Sequence, residues 1–86
     1  MSNTTPAARK EAVNWMARKL RLSPDRDLNR TFSWYVSGDA LDAPGGPHGS
    51  AREYLEWLYA DENGGTIGQI RRFKADCLRA ANERGY

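Results

Sequence analysis

Residues 50–86, SAREYLEWLYADENGGTIGQIRRFKADCLRAANERGY, decide the fold. Two amphipathic helices are expected here, joined by a tight turn at Asn63-Gly64-Gly65. Ser50-Ala51-Arg52-Glu53 has capping-box spacing: a hydroxyl accepts from an open first-turn amide while the residue three positions on reaches back. Thr66-Ile67-Gly68-Gln69 repeats the spacing with glutamine in the reciprocal role. Advancing by roughly 100° per residue puts Tyr54, Leu55, Leu58 and Tyr59 on one apolar arc, with Trp57 on its flank. The same rule aligns Ile67, Ile70, Phe73, Cys77, Leu78 and Ala81.

Working outward from this pair, Thr5-Pro6 and Ser23-Pro24 announce two earlier helices, each placing proline where its missing N–H costs nothing. The expected fold class is therefore all-α. It is a compact four-helix domain with helices at about 6–21, 24–37, 50–62 and 67–84, and Gly38, Gly64 and Gly85 positioned to end three of them. A Gly/Pro-rich loop is expected at 38–49, and residues 1–4 form a frayed N-terminus of the single domain 1–86. In the first helix Val13, Met16, Ala17 and Leu20 share a face, while Trp15 points away from it beside Lys19. The second groups Leu28, Phe32, Tyr35 and Val36 and leaves Trp34 nearly opposite.

At 86 residues the chain has room for one modest core, too small for a deep water-excluded active site. Its single cysteine forms no internal disulfide, and no secretory signal or long apolar run is present. A cytoplasmic protein without a membrane segment is expected. The net charge of +2 is too small to imply nucleic acid, so its distribution matters more. Cations dominate residues 6–22 and 67–86, and carboxylates dominate 23–66.

Catalytic equipment is sparse. Cys77 lies on the apolar stripe of the last helix, where a small buried thiol is the ordinary reading. His48 stands in a Pro-Gly-Gly-Pro-His-Gly loop with no cysteine or second histidine to complete a metal site. The loop PGGPHGS precedes a helix but lacks the spacing of a phosphate-binding loop. A non-enzymatic protein is expected, with no metal, no cofactor and no small-molecule substrate.

Two binding modes remain. In the first, off-stripe Trp15 and Trp34 anchor a partner protein, and Lys19 and Arg30 beside them suit an acidic one. In the second, residues 50–84 bind DNA as a helix-turn-helix. Ala60 falls at the motif's small-residue position, Gly64 at its turn glycine, and Ile70 and Phe73 at its later apolar positions. Asn63 departs from the motif at a position that is usually apolar. The resemblance implies that Gln69 and Arg72 meet base edges while Arg71 and Arg79 contact phosphates. Asp76, on the same face, would repel them. Partner-protein binding is the expected function, of the kind found among phage and plasmid accessory factors that occlude a host protein. Transcriptional regulation through DNA is the alternative.

Overall fold

Thr5 opens the first helix as expected: its hydroxyl accepts from the Ala8 amide at 3.1 Å, with Pro6 at the first helical position. The computed structural model describes residues 4–83, and in them the chain forms five helices. These are α1 (Pro6–Leu22), α2 (Leu28–Tyr35), α3 (Gly38–Asp42), α4 (Gly49–Leu58) and α5 (Ile67–Glu83). No strand occurs among the described residues. The expected Gly85 cap and the frayed residues 1–3 lie outside them.

The organising element is α1, which packs against α2, α4 and α5. A helix covered from three sides buries more than one stripe. Ala8, Ala12, Trp15, Met16, Ala17 and Leu20 are all buried, an arc of roughly 200° at 100° per residue. The sequence expectation of a single stripe is corrected here, and with it the outward placement of Trp15, which is only 8% exposed. Ala8 and Ala12 lack the bulk to hold neighbouring helices apart, and nothing in their chemistry marks them as core in the sequence.

The second helix is shorter than the expected 24–37. Ser23 ends α1 instead of opening α2. Its hydroxyl accepts from the Asp25 amide at 3.1 Å, Asp25 accepts from the Asp27 amide at 2.9 Å, and Asp27 accepts from the Arg30 amide as the true cap. Short polar side chains that bond nearby amides compete with helix, and two successive aspartates here delay its start. Within 38–49 the chain forms α3, capped by Ser37. Gly38 is thus the first residue of a helix rather than the terminator of the preceding one. Arg52 fastens this segment, donating to the Leu41 carbonyl at 3.0 Å and pairing with Asp42 at 2.5 Å. Pro47, a few residues further on, is fully buried.

The expected helix 50–62 begins one residue earlier and ends four sooner. Its N-cap is His48, which makes no side-chain capping bond, and the Ser50 hydroxyl donates to Glu11 of α1 instead. The Gly65 amide takes the Leu58 carbonyl at 3.0 Å and closes the helix end. Gly64 has to be glycine: a Cβ there would stand 2.6 Å from the Trp57 carbonyl oxygen. The second capping box forms as read. The Gln69 amide donates to Thr66 Oγ1 at 3.2 Å, and the Thr66 amide donates to Gln69 Oε1 at 2.8 Å. Along α5, Phe73, Cys77 and Ala81 are buried. Ile67, expected on that stripe, is the first residue of α5 and is 70% exposed. The core centres on Met16, Leu20, Leu55, Leu58 and Phe73, with Phe73 between the rings of Phe32 and Tyr54.

Candidate partner-binding surface

Trp34 projects from the face of α2 opposite Phe32 and is 53% exposed. Burying Phe32 and Leu28 against the core forces this orientation, because Trp34 sits two positions past Phe32 on an eight-residue helix. The ring is held from behind. Trp34 meets Tyr35 edge-on at 4.9 Å, and Tyr35 in turn meets buried Trp15 edge-on at 5.5 Å. Three rings thus run from the core to the surface, each in the geometry that the aromatic quadrupole favours.

Beside the indole lies a shallow cleft of about 280 Å³ lined by Ser23, Asp25, Arg30, Thr31, Trp34 and Tyr35. The Ser23 and Thr31 hydroxyls are 3.1 Å apart on its floor. Arg30 stands at the rim with its side chain 73% exposed, in long ion pairs of 3.6 Å to Asp25 and 3.5 Å to Asp27. Leu22, which closes α1 just before Ser23, is 76% exposed.

The four expected partner-binding residues are therefore divided. Trp34 and Arg30 share one surface. Trp15 and Lys19 lie behind it, with Lys19 Nζ 5.9 Å above the Trp15 ring. Trp15 supports the aromatic chain from within and does not face solvent as an anchor would. The sequence reading missed Tyr35, which appeared as an ordinary stripe residue; Trp34 precedes it directly in the chain, but its contact with Trp15, twenty positions away, exists only in the fold.

The residues assigned to DNA are divided too. α4 ends at Leu58, so Ala60 is exposed outside any helix, and residues 59–66 separate the two helices. A helix-turn-helix uses a connection of about three or four residues. Gln69 spends its side-chain oxygen on the Thr66 amide. Arg79 pairs with Asp76 at 2.6 Å, and Asp76 also holds Arg9 of α1 at 2.5 Å. Arg71 and Arg72 are exposed and make no ion pair with a described residue. Lys74 leans over the Phe32 ring, its Nζ 5.6 Å from the centroid, as a long stem at a core edge does.

Among the described residues no three His, Cys, Asp or Glu side chains come together as a metal site, and no helix is long and apolar enough to cross a membrane. Cys77 is buried, and burial pushes its thiol pKa well up, away from thiolate reactivity. Burial likewise raises the Tyr59 hydroxyl, which has no hydrogen-bond partner among the described residues. The chain matches no family model, no curated protein and no solved structure.

Proposed function

We propose that this protein acts by stoichiometric, non-enzymatic binding of a partner protein, with Trp34 as the anchor. The carrying observation is a half-exposed indole braced by Tyr35 beside a shallow cleft. A large ring already fixed in place loses little conformational freedom on association, and aromatic side chains of this kind dominate binding energy at interfaces. Arg30 adds charge at the rim. Its ion pairs are long and solvated, so exchanging one for a partner's carboxylate costs little, which favours an acidic partner surface. Covering a partner's functional surface is the mode of action that a small rigid domain with such an anchor supports.

Capture on the immobilised protein, followed by titration with the purified partner, tests this reading. Trp34→Ala should weaken binding by roughly 2 kcal/mol or more, about thirtyfold, with an unchanged melting temperature. Replacing Arg71, Arg72 and Arg79 together with alanine should leave that affinity intact. If no captured protein distinguishes the wild type from Trp34→Ala, the anchor assignment is wrong.

A further inference from the structure

At the other end of α1, far from Trp34, a second cleft of about 250 Å³ opens between α1, α4 and α5. Its walls carry two guanidiniums, Arg9 and Arg72, two hydroxyl residues, Thr4 and Thr5, and two aromatic rings, Tyr54 and Trp57. Tyr54 and Trp57 stand 5.7 Å apart, with Tyr54 buried and Trp57 half-buried at the wall. The cations come from different helices and are held differently. Arg9 is fixed in place by Asp76, whose hydrogen bond is also the main reason its pKa is raised. Arg72 has no carboxylate among the described residues and is available to a ligand.

A pre-positioned guanidinium and an uncommitted one facing a single opening favour a group that accepts from both, and a phosphate has the oxygens for this. The start of α1 lies at the same mouth and adds the positive end of its dipole. Charge around the opening is consistent: Lys10 and Arg79 lie in the adjoining groove with Arg9, against Asp76 and Glu83. Phosphate alone leaves the indole of Trp57 without a role, whereas a base stacked on it uses the remaining wall. The volume is below the roughly 300 Å³ at which cavities begin to enclose whole small molecules. The cleft thus suits one phosphate and the near part of one ring.

We propose that this cleft binds a nucleotide unit, its phosphate on Arg9 and Arg72 and its base against Trp57. That unit is either a free nucleotide or one residue of a single strand. The test titrates adenosine 5′-monophosphate, adenosine, inorganic phosphate and a labelled oligodeoxyadenylate, following tryptophan fluorescence and the Trp57 indole resonance by NMR. The expected result is saturable binding of the monophosphate or the oligonucleotide, stronger than of adenosine or phosphate alone. Arg72→Ala should weaken it about tenfold, the loss of one charge-assisted bond. Trp34→Ala should leave it unchanged, which separates this site from the partner-binding surface. The relative affinity separates the sources: tighter binding of the monophosphate assigns a free nucleotide, and tighter binding of the oligonucleotide assigns a strand; either supports the site. Inorganic phosphate binding as tightly as the monophosphate would overturn the proposal, as would full affinity in Arg72→Ala or no saturable binding of either nucleotide probe. Because Arg72 is exposed, its replacement tests the site without the folding risk carried by a change at Trp57.

Discussion

Thr66 and Ser50 look alike along the chain, each three residues before a side chain able to complete a capping box, yet only Thr66 caps. Thr66→Ala should therefore lower stability by about 1 kcal/mol, because it leaves the Gln69 amide without its acceptor. Ser50→Ala should cost distinctly less, since it removes a solvated bond to Glu11 and no cap; urea denaturation of the two variants makes the comparison. Cys77 has a different consequence. Its thiol ionises at ordinary alkaline pH, about 8.5, in the unfolded chain but at a much higher pH in the folded one. The folded state thus binds more protons once pH exceeds the unfolded value, and stability is complete below it and falls above it, by up to about 1.4 kcal/mol per pH unit for this group. Tyr59 adds the same trend from about pH 10 upward. Denaturation midpoints at neutral and alkaline pH should fall for the wild type and fall less for Cys77→Ala. The native thiol should also resist disulfide reagents until the chain unfolds.

Two elements depend on connections that only the folded chain brings together. α1 and α5 are joined by the Arg9–Asp76–Arg79 cluster, whose Arg9 and Asp76 side chains are about one-third exposed. A double-mutant cycle between Arg9→Ala and Asp76→Ala should give a coupling of about 1 kcal/mol or less, reduced further by salt, because solvent screens such pairs. The turn between α4 and α5 is more demanding. Gly64→Ala would drive its Cβ into the carbonyls of Trp57 and Ala60, which are backbone atoms and cannot swing aside. A loss of roughly 2 kcal/mol or more is expected in thermal or urea unfolding, in the range typical of enforced backbone clashes. Gly38, with open space around its Cα, should accept alanine without comparable loss.

For the molecule as a whole, the three tryptophans report how its surfaces are divided. Trp15 is buried, Trp57 half-buried and Trp34 exposed. Iodide should quench a large part of the fluorescence of the wild type and much less in Trp34→Phe, with little change in melting temperature. Equal quenching in both proteins would mean that Trp34 is covered in solution, and the anchor would have to be sought elsewhere. The cleft beside the proposed anchor includes Ser23, just past the end of α1, and the nucleotide cleft includes Thr5 and Pro6 at its start, with the roughly 25 Å length of α1 between those residues, so changes in one should leave binding at the other intact.

Helix content, the Thr5 and Thr66 caps and the outward Trp34 follow from local rules: an amide at an open turn needs an acceptor, and a stripe at 3.6-residue spacing has an opposite face. They were legible because the determining residues lie within a few positions of one another. The burial of Trp15 was not, because it depends on α1 being covered from three sides, which no periodicity within α1 encodes. The early end of α4 escaped for the same reason: Gly64 and Gly65 close it through carbonyls that become neighbours only once the chain turns. Pairings such as Arg9 with Asp76, 67 positions apart, and the meeting of Arg9, Arg72 and Trp57 at one cleft belong wholly to the tertiary structure. Local sequence determined which faces each helix possessed; packing around α1 decided which of them stayed in water.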